Sequence, residues 1–135
     1  MSIDRPMPTS AFAIANLKEV EASTSAPPGL EARLAREQLD SEHLGVSYFH
    51  YEPGVRTPFG HSHGSQEEAY VVVAGSGRAR LDKEIVELRQ GDVLRVAPPV
   101  LRAFEAGPAG LTLIAIGSGL TAGEGGQTVE DFWTD

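Results

Sequence analysis

From Leu44 onward, short runs rich in β-branched and aromatic residues alternate with Gly and Pro at near-regular intervals. Leu44 to Glu52 ends at Pro53-Gly54, and Glu68 to Ala74, with three consecutive valines, ends at Gly75-Ser76-Gly77. Arg78 to Leu81 and Ile85 to Leu88 flank the turn Asp82-Lys83-Glu84. Val93 to Val96 follows Gly91-Asp92 and stops at Pro98-Pro99, and Leu111 to Ile116 lies between Gly110 and Gly117. Many short strands punctuated in this way predict an all-β sandwich or barrel, because a parallel sheet needs helical crossovers between its strands.

The flanking segments are less regular. Phe12 and Ile14 alternate with small residues over 11–17, which predicts a short strand, and Ser23 to Gly29 with Pro27 and Pro28 is a loop. Leu30 to Leu39 fits either a helical face or an alternating strand. Beyond Gly117 the tail carries Glu124, Glu130, Asp131 and Asp135 with no basic residue, half of the net charge of −8. Val129, Phe132 and Trp133 stand at i, i+3 and i+4, the spacing of one face of a helical turn, and predict a tail that docks on the barrel. A lid or a swapped arm is the alternative. The expected organisation of the 135 residues is one domain: an N-terminal extension 1–43, a barrel core 44–117 and an acidic tail 118–135.

Composition removes several functions. With no cysteine, disulfides, thiol nucleophiles and zinc-thiolate sites are excluded, and any metal must be held by nitrogen and oxygen. A pI near 4.9 argues against a nucleic-acid partner, which requires clustered Lys and Arg. The start of the chain, with Asp4, Arg5, Pro6 and Pro8, does not read as a leader, and no apolar run approaches the ~20 residues of a membrane span. A cytoplasmic protein is expected.

The chemistry concentrates between Gly54 and Gly75. His61 and His63 are i and i+2, so on a strand both imidazoles face one side, and Glu68 opens the next apolar run. Two neutral imidazoles and a carboxylate suit Fe(II), Mn(II), Zn(II), Ni(II) or Cu(II), and open coordination positions then take water, substrate or dioxygen. Taken alone, the same pair also reads as two solvated histidines near a turn.

The stretch Gly54, six residues, His61-Ser62-His63, four residues, Glu68, six residues, Gly75 resembles the first motif of the cupin superfamily, with one extra residue before His61. Glu67 also falls within the family's interval, but Glu68 keeps the spacing to Gly75. The resemblance covers residues 44–117. It implies a double-stranded β-helix, an antiparallel jelly-roll barrel with a metal site of His61, His63 and Glu68 in its mouth, commonly paired as a homodimer.

The family's second motif is degenerate here. Gly91, Ala97, Pro99, Arg102 and Ala106 stand at its positions and only Gly91 matches; Arg102 replaces the fourth metal ligand, a histidine. Arginine stays protonated and has no lone pair for a cation. Three readings remain open: Arg102 grips an anionic substrate beside a metal, or pairs with Glu68 and replaces the metal, or turns outward into solvent. His50 shares parity with Val46 and Tyr48 and reads as an exterior residue, while Phe49, Tyr51, Tyr70 and Phe104 are expected to line the pocket. Arg78, Arg80 and Lys83 read as a solvated strand edge. Two functions follow as expectations: a metal-dependent enzyme acting on a small anionic molecule held by Arg102, or a non-catalytic small-ligand binding or sensor protein without the metal.

Overall fold

The computed structural model describes residues 11–118 and 125–135. The N-terminal residues Asp4 to Pro8 and Glu124 of the tail lie outside the described residues. Among these residues the chain is all β, with no helix: β1 (Leu30–Leu34), β2 (Leu44–Tyr51), β3 (Gly60–His61), β4 (Glu67–Leu81), β5 (Glu84–Arg89), β6 (Val93–Val96), β7 (Arg102–Ser118) and β8 (Thr128–Val129). Every pairing is antiparallel, and one strongly curled sheet runs β1-β2-β7-β3-β8 with β4 joined to β5, β6 and β7. This is the double-stranded β-helix expected.

β7 organises the sheet. Its C-terminal half pairs on one edge with β2, from Tyr51↔Leu111 to Leu44↔Ser118, and on the other with β4, from Gly75↔Leu111 to Glu67↔Ser118. Its N-terminal half pairs with the far end of β4, from Gly77↔Ala106 to Leu81↔Arg102. Gly75-Ser76-Gly77 therefore does not end a strand, as the punctuation suggested. β4 runs through it, with register shifts at Val72/Ala74 and Gly75/Gly77. Gly75 is at φ 77°, and a Cβ there would collide with the carbonyl of Gly110, itself at φ 82°. The glycines let two backbones touch where the sheet turns its corner.

The core is formed by the inward parity of these strands. Tyr70 and Val72 are buried on the Glu68 face of β4, with Leu88, Val96, Phe104, Leu111 and Leu113, while Val73 points outward. Leu30–Leu34 resolves as strand, paired with Ser47–Tyr51 of β2, so the sheet begins upstream of residue 44. Residues 11–17 form no strand. Phe12 and Ile14 are 86% and 94% exposed, so the alternation marks no buried face there.

The tail docks, but not as a helical turn. Thr128 and Val129 pair with His61 and Gly60 of β3, leaving Val129 exposed, and Phe132 is buried against Gly60. The Trp133 indole donates to the Thr57 carbonyl at 2.7 Å, and the guanidinium groups of Arg56 and Arg78 lie 4.5 and 5.3 Å from its ring. Arg78 and Arg80 are thus not a solvated edge. Arg78 bonds Glu105 (2.6 Å) and Asp135 (2.5 Å), and Arg80 covers the Phe132 ring and donates to its carbonyl.

Candidate functional site

Three strands bring the chemistry together. His61 ends β3, opposite Arg102 of β7 and Thr128 of β8. His63 lies just beyond, its amide donating to the Pro98 carbonyl at 2.8 Å. Glu68, near the start of β4, pairs with Val96 of β6 and Gly117 of β7. Parity turns Glu68 inward and Glu67 outward, where Glu67 meets Arg95 at 3.0 Å. The two imidazoles are edge to face with centroids 5.3 Å apart, and the ligand atoms of His61, His63 and Glu68 lie within 4.8 Å of one another. Although His61 and His63 do not share a continuous strand, both line the cavity.

That cavity has a volume of about 460 Å³. Phe49, Tyr51, Phe59 and Phe104 form apolar walls, with His61, His63, Glu68 and Tyr70 as its polar end. Phe49, Tyr51, Tyr70 and Phe104 thus stand where the strand parity placed them. Tyr51 bonds the Thr57 hydroxyl at 2.7 Å, and burial pushes its phenol up to about 12. His50 faces away and meets Thr112 through Nδ1 at 2.8 Å. Thr57, Phe59, Gln66 and Arg36 also line the cavity and were not singled out from sequence. Gln66 was legible as the residue two before Glu68 and hence on its face, whereas Arg36, in the turn after β1, follows no periodicity.

Arg102 is fully buried beneath Glu68. Nη1 donates to Glu68 Oε1 at 2.8 Å, Nε donates to the carbonyl of Val100, and Nη2 to those of Ala97, Pro98 and Val100. The expected grip of Arg102 on an anionic substrate does not fit this placement, because a side chain with no exposed surface offers the cavity no donor. Outward solvation is equally absent. The pairing of Arg102 with Glu68 is the arrangement present.

Glu68 Oε1 also accepts from His63 Nε2 at 3.1 Å and from the Tyr70 hydroxyl, which leaves Oε2 outside these bonds. Burial opposes the carboxylate charge, but the hydrogen bonds from His63 and Tyr70 and the fields of His63 and Arg102 outweigh it and hold the pKa down to about 2. Burial, and then the Arg102 charge, lower His61 to about 4 against the pull of Glu68, so its imidazole is neutral at pH 7. Burial, and then the neighbouring Glu68 charge, hold the Tyr70 phenol well above its ordinary range, as a donor.

This donor set fits a divalent cation in type: a neutral imidazole at His61, an ionised carboxylate, and a His63 whose Nδ1 is buried without a hydrogen-bond partner among the described residues. The charge balance is less favourable, because Arg102 already neutralises Glu68.

No protein-family model matches the sequence, and no curated protein is similar to it. Solved structures are. A cupin protein from Bacteroides fragilis is 25% identical, with a TM-score of 0.67 over 81% of this chain and 85% of that one. A conserved protein with a double-stranded β-helix domain from Klebsiella pneumoniae is 19% identical, with a TM-score of 0.67 over 87% and 96%. A sugar phosphate isomerase of the cupin superfamily from Silicibacter pomeroyi is 20% identical, with a TM-score of 0.65 over 77% and 74%.

Proposed function

We propose that this small cupin-fold protein is a metal-dependent enzyme that takes a small molecule, polar or anionic at one end, into the mouth of its barrel. The observation that carries the reading is the convergence of the His61, His63 and Glu68 ligand atoms within 4.8 Å on the wall of a cavity also lined by Phe49, Tyr51, Phe59 and Phe104. His61, His63 and Glu68 would hold the cation, which when bound polarises a substrate oxygen or presents it with open coordination positions. Tyr70 keeps its proton and fixes Glu68, and Arg102 anchors the same carboxylate from below. Phe49, Tyr51 and Phe104 exclude water from the body of the molecule. A neighbour in fold acts on a sugar phosphate, which agrees with a small polar substrate.

Elemental analysis of protein purified without an affinity tag tests this reading. Near-stoichiometric Fe, Mn, Zn, Ni or Cu, lost in His61→Ala, is expected. Protein that stays metal-free after reconstitution with Fe(II), Mn(II) or Zn(II) overturns it. The Glu68–Arg102 pair favours a second reading, a metal-free pocket that binds a small ligand without transforming it, and the same measurement separates the two. A cytoplasmic homodimer belongs to the proposal. Among the described residues no helix is long and apolar enough to cross a membrane, and Val73 and Val93 expose apolar surface on neighbouring strands. Sedimentation equilibrium tests the dimer.

A further inference from the structure

The segment that carries His61 and His63 has little regular structure of its own. Between Tyr51 at the end of β2 and Glu67 at the start of β4, the chain forms one strand, β3, of two residues. Its inner edge meets β7 and the loop before it. The Thr57 amide donates to the Phe104 carbonyl at 3.0 Å, His61 pairs with Arg102, and the His63 amide donates to the Pro98 carbonyl at 2.8 Å. Its outer edge meets the tail. The Phe132 amide donates to the Pro58 carbonyl at 3.2 Å, its ring lies on Gly60, and the Trp133 indole donates to the Thr57 carbonyl at 2.7 Å. Ser62, which separates the two histidines, is 7% exposed and turns both its polar groups to Gln127. Its amide donates to the Gln127 carbonyl at 2.9 Å, and its hydroxyl accepts from the Gln127 amide at 3.1 Å. Arg78 and Arg80 of β4 in turn grip Asp135 and the Phe132 carbonyl, so the tail is tied to the barrel as well as to the segment it covers.

We infer that residues 127–133 position the candidate metal centre: the tail presses segment 57–62 against β7 and so sets where His61 and His63 stand relative to Glu68. Glu68 is held separately, on β4, by Tyr70 and Arg102. The tail thus governs two of the three ligands, and Phe132 and Trp133 act from behind a cavity wall to which the segment gives Thr57, Phe59, His61 and His63. Metal affinity depends on such outer partners because they fix ligand geometry before the cation arrives. Linkage makes the effect mutual: whatever the docked tail adds to metal affinity, bound metal adds to docking. This rests on the proposed metal site and adds what holds two of its ligands in place.

Zn(II) titration of the full chain against a chromogenic chelator tests it. Phe132→Ala is expected to weaken Zn(II) about tenfold, and Phe132→Leu should restore most of the affinity. Trp133→Phe removes the indole donor to Thr57 and should weaken Zn(II) less; it serves as the test should Phe132→Ala fail to fold, which near-UV circular dichroism reports. Leu88→Ala, a core truncation on β5, should leave Zn(II) affinity unchanged and so separates positioning from lost stability. In the reverse direction, saturating Zn(II) should reduce acrylamide quenching of Trp133 in the wild type and not in His61→Ala. Wild-type Zn(II) affinity in the tail variants, an equal loss in Leu88→Ala, or quenching of Trp133 indifferent to bound Zn(II) each overturns the inference. Failure of the metal reading looks different. Should the wild-type chain bind no metal, amide hydrogen exchange at His61, Ser62 and His63 decides: faster exchange in Phe132→Ala than in Leu88→Ala keeps the positioning role and removes the metal, and equal exchange removes both.

Discussion

Glu68 and Arg102 face each other beneath the cavity with Oε1 and Nη1 2.8 Å apart, and the arginine side chain has no exposed surface. The guanidinium binds three backbone carbonyls as well, so one residue ties the carboxylate of β4 to the loop between β6 and β7. Removing one member of such a pair strands the other charge, whereas removing both does not. Arg102→Met is therefore expected to lower stability by about 3–5 kcal/mol in urea unfolding. Adding Glu68→Gln should cost less than the sum of the two single changes, and a double-mutant cycle measures the coupling. Arg102→His, which removes the charge and adds a ligand, should tighten binding of Zn(II) in competition with a chromogenic chelator.

Acid should destabilise the metal-free protein in two successive windows. His61 is depressed from 6.5 to about 4, so between these values the unfolded chain binds a proton that the folded one refuses. Stability thus falls as pH drops from 6.5 to 4, by about 3 kcal/mol at most. Glu68 is depressed from 4.5 to about 2, so its contribution is present above 4.5 and is lost as pH falls toward 2. Urea unfolding across this range should show both windows, and His61→Asn should flatten only the upper one.

The single tryptophan reports the tail. A Cβ at Gly60 would stand 2.7 Å from Cγ of Phe132, so Gly60→Ala should lift the Phe132–Trp133 segment from the barrel. The expected result is a red-shifted Trp133 emission with an unchanged far-ultraviolet β spectrum. Emission identical to the wild type would count against the docked tail.

Tyr51→Phe removes the partner of a buried Thr57 hydroxyl, and the expected loss is about 1 kcal/mol in thermal or urea unfolding.

The all-β character was legible from Gly and Pro punctuation, and the barrel with its His61-His63-Glu68 cluster from the resemblance to the first cupin motif; parity along one strand did not place the histidines, since β3 ends at His61. Parity did turn Phe49, Tyr51 and Tyr70 inward and His50 outward. Local rules failed where distant contacts decide. Gly75 reads as a stop but serves a close approach to Gly110 in β7. Phe132 and Trp133 have helical spacing, yet they form no helix and lie on a bed made by Gly60, Thr57, Arg56 and Arg78. Arg102 left three readings open because its direction is set by carbonyls at Ala97, Pro98 and Val100, whose positions no pattern in the sequence specifies.

The double pairing of β7 also dictates an order of assembly. The β1–β2 hairpin and the β4–β5–β6 group are synthesised first, and each waits with an open edge for the same strand. Until residue 118 has left the ribosome, neither edge can be fully covered and the cavity has no third wall. Nascent chains stalled before β7 should therefore be the species that chaperones recognise, and substitutions in β7 should act more on yield than on the properties of the protein that does fold.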